Sequence, residues 1–383
     1  MSTTPVAEQP PAPRSPHGWG LVINVSLVIL AFALLGWVLW DNSAKIEEVF
    51  ARPLDLRLLG LGILIFQISL LLTYVRWFWL IRVIEPRFRL GATLLLGSIG
   101  YVFNLVIPGA VGGDLIKAAY LVRMRVRKTQ AIASMVIDRI VGLLGLFVLA
   151  SGAGILAWGV AGADVRRLIA AVWLATVGGG VLLGLVFAQA FTRLFPSLLR
   201  TRHGRISLML SELRTMSMTY RGRLGVVAAA LGLSIVGHAL NVVAFYLVGW
   251  MLFANQMSTT LAQHFLMVPL TLFTTAVPLP FGALGLSEGV GDQLFKLVGH
   301  PSGALAMMGF RVLMYACGLV GAMIYLFHLQ EVRALTASAH ELEQELIEGE
   351  LHEATADAAL ASETAETAAA RPESRDFEEV GPT

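Results

Sequence analysis

The stretch Asn104–Tyr120 reads NLVIPGAVGGDLIKAAY and decides how the rest of the chain is arranged. It overlaps the end of an apolar run, Ala92–Ile107, of only 16 residues. A helix that crosses a membrane needs about 20 residues. Because proline has no N–H to donate and glycine weakens a helix, the helix should break here and resume after the break. The sequence therefore predicts a re-entrant pair of half-helices over residues 92–122, with its tip at Pro108–Asp114.

A second broken segment, His264–Leu297, repeats this pattern in the C-terminal half of the chain. A proline, a glycine and an arginine recur at a constant offset of 172 residues: Pro108, Gly113 and Arg139 in the first half, Pro280, Gly285 and Arg311 in the second. Broken segments at matching positions of two halves point to the binding site of a transporter. We therefore expect two inverted halves, at about 18–158 and 168–330.

The composition indicates a polytopic membrane protein. Of the 383 residues, 56% are hydrophobic and only 14% are charged, and the mean hydropathy is +0.72, far from the balance of a soluble domain. We expect an all-α fold with about six full spans and two re-entrant pairs, although a plain hydropathy count gives seven or eight spans. The expected spans are 18–40, 58–81, 130–158, 168–190, 224–253 and 304–327.

Charge is distributed unevenly along the chain. The membrane domain, 18–330, is expected between a disordered tail, 1–17, and an acidic, largely disordered tail, 331–383. Basic loops belong in the cytoplasm, and this rule places both termini there, together with the arginine-rich loop 192–223. It places the mixed-charge loop Asp41–Arg57 outside, and Arg76 is expected to snorkel towards the basic surface.

Residues 97–150 resemble the first signature of the lysylphosphatidylglycerol synthase transmembrane-region family, also called flippase-like or UPF0104 proteins. The matching residues are NLVIPGAVGGD at Asn104–Asp114 and SMVIDR at Ser134–Arg139, and PLPFGALGLSE at Pro278–Glu288 resembles the second signature. The resemblance implies a domain that moves lipids across the bacterial cytoplasmic membrane. Some members carry a fused aminoacyl-transferase or glycosyltransferase domain. For this chain the resemblance implies translocation without synthesis.

Two arginines, Arg139 and Arg311, stand inside apolar helices, where charges are costly and face a cavity or a partner. One hypothesis is that they capture a lipid phosphate, because guanidinium matches phosphate geometry. The alternative is that they form ion pairs with the nearby acids, which are Asp114, Asp138, Glu288 and Asp292. Neighbours on a helix point about 100° apart, so Asp138 and Arg139 should have separate partners.

The acidic residues and the residues at the helix breaks also allow more than one role. Asp114 and Glu288 could cap their half-helices or hold a proton or cation. Lys117 could meet a phosphate or face the cytoplasm. Glycines at the tips break the helices and let backbone approach a ligand, and half-helix N-termini attract anions. The predicted substrate site comprises Asn104, Pro108, Gly109, Gly112, Gly113, Asp114, Lys117, Asp138, Arg139, Pro280, Gly282, Gly285, Glu288 and Arg311.

The leading functional hypothesis is a lipid transporter whose substrate is a phospholipid, its aminoacylated derivative or a polyprenyl-phosphate-linked lipid. The rival is a non-catalytic scaffold that presents lipid to a separate transferase. The sequence shows no metal-ligand cluster, nucleotide-binding loop or nucleophile triad, so we expect no enzyme activity, cofactor, metal or nucleic-acid partner. Membrane lipids that are anionic or carry phosphate are the expected partners.

Overall fold

A computed structural model describes residues 17–106, 112–188, 214–215, 217–277 and 279–329, and this part of the chain is helical without a β-strand. Its main helices, in chain order, are α1 (His17–Asp41), α2 (Ser43–Phe50), α3 (Leu56–Ile84), α4 (Leu90–Val106), α5 (Gly112–Arg123), α6 (Lys128–Ala157), α7 (Ala163–Phe187), α8 (Leu224–Phe253), α9 (Leu261–Phe273), α10 (Leu286–Lys296) and α11 (Gly303–Phe327). Short turns at Arg221–Arg223, Ala254–Gln256, Thr274–Ala276 and Pro280–Ala283 connect some of them. The predicted all-α class is confirmed.

The helices are long and apolar enough for a polytopic membrane protein. In the described part, α3, α6, α7, α8 and α11 each pass the length and hydropathy needed for a span. A sixth span results if α1 and α2, which meet at a bend of 68°, are counted together. The prediction of about six spans is thus consistent with the fold, whereas a count of seven or eight would need the shorter apolar helices α4 and α9.

The first broken segment folds as a helical hairpin. The Gly113 N–H at the start of α5 donates to Asn104 Oδ1 on α4 at 3.0 Å, and the Gly113 backbone lies against that of Gly100. α5 therefore returns along α4, as the sequence predicts. The residues between the two helices, including Pro108 and Gly109, lie outside the described part of the chain.

The second broken segment is a hairpin of α9 and α10. A Cβ on Gly291 of α10 would lie 3.0 Å from Thr271 Cγ2 of α9, so these helices are packed closely. The predicted helix breakers Gly282 and Gly285 have φ of +66° and +83°. Gly285 approaches α1 rather than an open cavity, because its Cβ would lie 2.5 Å from that of Leu34. Both breaks are confirmed, and the inverted relation of the halves stays a prediction.

The two ends of the helix bundle differ in charge. One end, here called the basic end, consists of the end of α3 and the starts of α4, α6 and α8, which pack together. Tyr220 Oη donates to the Leu80 carbonyl at this end, at 3.2 Å. The opposite end, called the mixed end, joins α2 to the loops before α9 and α11. At that end Lys45 Nζ donates to the Pro301 carbonyl at 2.7 Å, and Arg52 bonds Gln256. The basic end carries Arg82, Arg87, Arg89, Arg123, Arg125, Arg127, Lys128, Arg221 and Arg223.

One predicted loop is partly helical. Asp41–Arg57 contains α2, whose Val49 is buried in the hydrophobic core. Its apolar side chains Ile46 and Val49 pack on the bundle. This packing was not predicted from the sequence, because the segment carries charges of both signs. The disorder predicted for 1–17 and 331–383, and the arginine-rich loop 192–223, fall wholly or mostly outside the described residues.

Closure of the first hairpin should depend on Gly113. In Gly113→Ala the new methyl group would overlap the carbonyl group of Gly100, which is backbone and cannot rotate away. We expect a loss of about 1–3 kcal/mol, typical of overpacking, seen as a lower melting temperature in detergent. Gly91→Ala on α4 is the matched control because it meets open space. Equal melting temperatures for the two variants would contradict the close α4–α5 contact.

The orientation of the two ends can be measured by cysteine labelling. Because the single natural cysteine, Cys317, is buried, Cys317→Ser provides a background for new cysteines. Arg87 at the basic end and Ser258 at the mixed end are both exposed. By the positive-inside rule, we expect Arg87→Cys to react only from the cytoplasm and Ser258→Cys only from outside. Labelling of both from one side would refute the layout.

Candidate functional site

The most distinctive polar site lies where α5 begins. Asp114, the third residue of α5, accepts a hydrogen bond from Arg139 Nε at 2.7 Å and lies 2.6 Å from Arg139 Nη2, both through Oδ2. Its other oxygen, Oδ1, lies 3.2 Å from Lys117 Nζ. Arg139 is the twelfth residue of α6, which places its Cα about 17 Å from the start of that helix. Helices α5 and α6 thus bring three charged side chains together inside the bundle.

These three groups differ in accessibility. The side chains of Asp114 and Lys117 are 15% and 13% exposed, whereas that of Arg139 is 43% exposed. Both cations pair with the one Asp114 carboxylate. The Lys117 ammonium also lies 5.2 Å from the centre of the Trp77 ring. The expectation that Lys117 could face the cytoplasm is therefore wrong, because its charge points into the site.

The start of α5 is hydrogen-bonded to α4, because Asn104 Oδ1 accepts from the Gly113 N–H. The prediction that Asp114 caps α5 concerns backbone that lies outside the described residues. Asn104, Gly113 and Asp114 thus share one corner of the hairpin, and Gly112 is the first residue of α5. Whether any of them binds substrate stays a prediction.

The second hairpin is locked by Arg311 of α11. The Arg311 Nε donates to Glu288 Oε1 at 2.6 Å, and Nη2 donates to Ser287 Oγ at 2.7 Å. Nη1 donates to the Phe281 carbonyl at 2.5 Å, and both Nη atoms reach the Gly282 carbonyl at 3.4–3.5 Å. The guanidinium group therefore has a partner for each of its five N–H bonds.

This network is more deeply buried than the Arg139 site. The side chains of Arg311 and Glu288 are 5% and 0% exposed. Glu288 Oε2 also accepts from the Gly285 N–H at 2.7 Å, so the same carboxylate caps α10. Arg311 holds a turn in which Phe281, Gly282 and Ala283 all have positive φ. The ion-pair alternative therefore holds for Arg311. The residue is a structural strut, because its hydrogen bonds stabilise the turn that begins at Pro280.

The predicted independence of Asp138 and Arg139 is confirmed, but the partner of Asp138 was not foreseen. Arg76 of α3 forms a fork with Asp138, with Nε–Oδ1 at 2.8 Å and Nη2–Oδ2 at 3.0 Å. Its Nη1 donates to Ser234 Oγ of α8 at 3.0 Å. The expectation that Arg76 snorkels is wrong, because the residue is 7% exposed and its charge is satisfied within the bundle.

Arg139 on α6 pairs with Asp114 of the first hairpin, and Arg311 on α11 pairs with Glu288 of the second. Among the described residues no hydrogen bond or ion pair joins the Arg139 set to the Arg311 set. The turn at Pro280–Ala283 does contact α4, the first helix of the other hairpin. Asp292 pairs with Lys296 at 2.6 Å rather than with Arg311. In the part of the chain that the structure describes, no group of His, Cys, Asp and Glu side chains is arranged to hold a metal ion.

Comparison with known proteins gives one family. The profile of the family described as "Lysylphosphatidylglycerol synthase TM region" matches residues 20–321. The match contains both hairpins and the ion pairs of Asp114, Asp138 and Glu288, so the residues described above lie within the shared region. A search of curated proteins gives no match.

Proposed function

Because the chain belongs to the lysylphosphatidylglycerol synthase TM region family, whose members are membrane proteins of lipid metabolism or transport, we propose that it moves a phosphate-bearing lipid between the two leaflets of a bacterial cytoplasmic membrane. The lipid is a phospholipid, an aminoacylated phospholipid or a polyprenyl-phosphate-linked lipid. Both termini face the cytoplasm. The protein acts as a transporter and not as an enzyme.

The observation that carries this proposal is Arg139, an exposed arginine inside an apolar helix. A cation within a membrane helix is costly unless it faces a partner or a cavity. Arg139 is paired with Asp114, yet its side chain is 43% exposed, and Lys117 lies 3.2 Å from the same carboxylate. A lipid phosphate at the exposed face of Arg139 would share the guanidinium group with Asp114. Two opposite unit charges about 4 Å apart attract by about 4 kcal/mol in an effective dielectric constant of 20.

We propose different roles for the two hairpins. The lipid phosphate binds to Arg139 near the N-terminus of α5, where backbone N–H groups and the helix dipole favour an anion. Arg311 has its N–H groups occupied by protein acceptors, so it supports the second hairpin instead of binding lipid. This role differs from the symmetrical headgroup site suggested by the sequence offset. Movement of one half against the other would expose the site to each leaflet in turn.

Purified protein in proteoliposomes tests this function. A fluorescent phosphatidylglycerol placed in one leaflet should move to the other in protein-containing vesicles and not in empty ones. Arg139→Ala, checked for folding by gel filtration, is the matched inactive variant. Movement that requires an added transferase would support the scaffold alternative. The absence of movement with any phosphate-bearing lipid, with or without a transferase, would refute transport.

A further inference from the structure

A separate pocket lies at the basic end, between the end of α3 and the start of α8. Its volume is about 510 Å³, within the range of about 300–1,000 Å³ for ligand sites. The lining combines two arginines with an aromatic and small apolar side chains: Trp79, Arg82, Val83, Arg223, Val226 and Ala229. None of the residues of the Arg139 site lines it.

The two arginines of this pocket have no acidic partner among the residues that the structure describes. Arg82 Nε donates to the Pro86 carbonyl at 3.3 Å, and its guanidinium carbon lies 5.4 Å from the centre of the Phe78 ring. Neither Arg82 nor Arg223 forms an ion pair with a carboxylate of the described residues. Arg76, Arg139 and Arg311 are each paired with an acid. The pocket therefore concentrates two positive charges that pair with no carboxylate in the described part of the chain.

We propose that this pocket binds an anionic phospholipid that stays with the protein, separately from the lipid that is transported. The headgroup phosphate would lie between Arg82 and Arg223, since guanidinium donates two parallel hydrogen bonds to phosphate oxygens. Basic pockets between transmembrane helices at such a surface are established headgroup sites. The acyl chains would leave along Val83, Val226 and Ala229 into the surrounding bilayer.

Two features favour an anionic lipid over a zwitterionic one. The pocket offers two cations, so a headgroup with a net negative charge is matched better than one whose phosphate is already balanced by an amine. Trp79 is 38% exposed on the pocket wall. Tryptophan is enriched at the level of lipid headgroups, where its ring meets apolar chains and its N–H meets polar groups. The pocket thus has a polar part and an apolar part in the order that a phospholipid presents them.

Thermal unfolding in detergent, with added phosphatidylglycerol or phosphatidylcholine, tests this site. For the wild type we expect phosphatidylglycerol to raise the melting temperature more than phosphatidylcholine does. The double variant Arg82→Ala/Arg223→Ala should lose this difference. The matched control is Arg87→Ala/Arg221→Ala, which removes the same charge from exposed positions at the same end that do not line the pocket. The control should keep the full difference.

Three results would overturn the assignment. Equal loss in the pocket variant and the control would show that the lipid responds only to overall surface charge. An unchanged difference in the pocket variant would place the lipid elsewhere. Equal stabilisation of the wild type by both lipids would refute the preference for anionic lipid. If the alanine pair does not fold, Arg82→Gln/Arg223→Gln repeats the test with the side-chain bulk kept. The pocket variant should still transport lipid, so failure here is distinguishable from failure of the transport proposal.

Discussion

Arg311→Ala is expected to destabilise the folded protein by about 3–5 kcal/mol, the cost of leaving a buried charge without its partner. Glu288 is fully buried, and its carboxylate would lose the guanidinium group at 2.6 Å. The carbonyls of Phe281 and Gly282 would lose their donors in the same change. Because these carbonyls belong to a turn with positive φ, the second hairpin should open with the loss of the arginine.

Thermal unfolding and the yield of monodisperse protein measure this effect. Arg167→Ala is the matched control, since Arg167 pairs with Asp164 at 2.9 Å on the surface, where such pairs contribute about 0–1 kcal/mol. The double variant Arg311→Met/Glu288→Gln should recover much of the stability. Glutamine keeps an oxygen that can accept from the Gly285 N–H and carries no charge. A loss for Arg311→Ala as small as that of the control would contradict the role of Arg311 as a strut.

Arg139→Ala is expected to reduce lipid transport roughly 10- to 100-fold while the protein stays folded. The estimate follows from the loss of a hydrogen bond to a charged group, about 1.5–3 kcal/mol, at about 1.4 kcal/mol for each factor of ten. Folding should survive because Lys117 remains 3.2 Å from Asp114, so the acid is not left unpaired. Arg139→Lys should recover little transport, since lysine keeps the charge and loses the planar fork.

A double change distinguishes the binding role of Arg139 from a structural one. If Arg139 served only to balance Asp114, Asp114→Asn would restore the transport of Arg139→Ala. We expect no recovery, because removing the acid does not replace the phosphate ligand. Transport rate and melting temperature are measured on the same preparations of the single and double variants. Recovery of both quantities in the double variant would make Arg139 a strut like Arg311.

The breaks in the two hairpins could be predicted because they depend on local residue types. Proline and glycine within short apolar runs weaken a helix wherever they occur, and the structure has α4 and α5, and α9 and α10, on either side of the predicted breaks. The spans follow from the length of the apolar runs in the same way. The burial of α2 could not be predicted from its own residues, because its charged residues resemble those of a surface loop. It depends on the helices that α2 packs against.

The pair of Arg76 and Asp138 could not be read from the sequence, because its members come from distant segments. They are 62 residues apart, and nothing in the sequence places α3 beside α6. A lone arginine inside the apolar run of α3 was a signal that it needed a partner within the bundle. The acids do not share the 172-residue offset of the arginines, since Asp114 precedes Arg139 by 25 residues and Glu288 precedes Arg311 by 23. The two pairs therefore differ in spacing and in exposure.

The central claim is that a lipid phosphate binds at Arg139, and photocrosslinking with headgroup-proximal probes tests it most directly. The protein is reconstituted with phosphatidylglycerol that carries a diazirine on an acyl chain close to the headgroup, or with the diacylglycerol that carries the same labelled chain and lacks the phosphate. Labelled peptides are identified by mass spectrometry. We predict that the phosphate-bearing probe labels α5 and the segment of α6 around Arg139, that diacylglycerol does so far less, and that Arg139→Ala abolishes the difference. Equal labelling by the two probes, or labelling unchanged in Arg139→Ala, would contradict the claim.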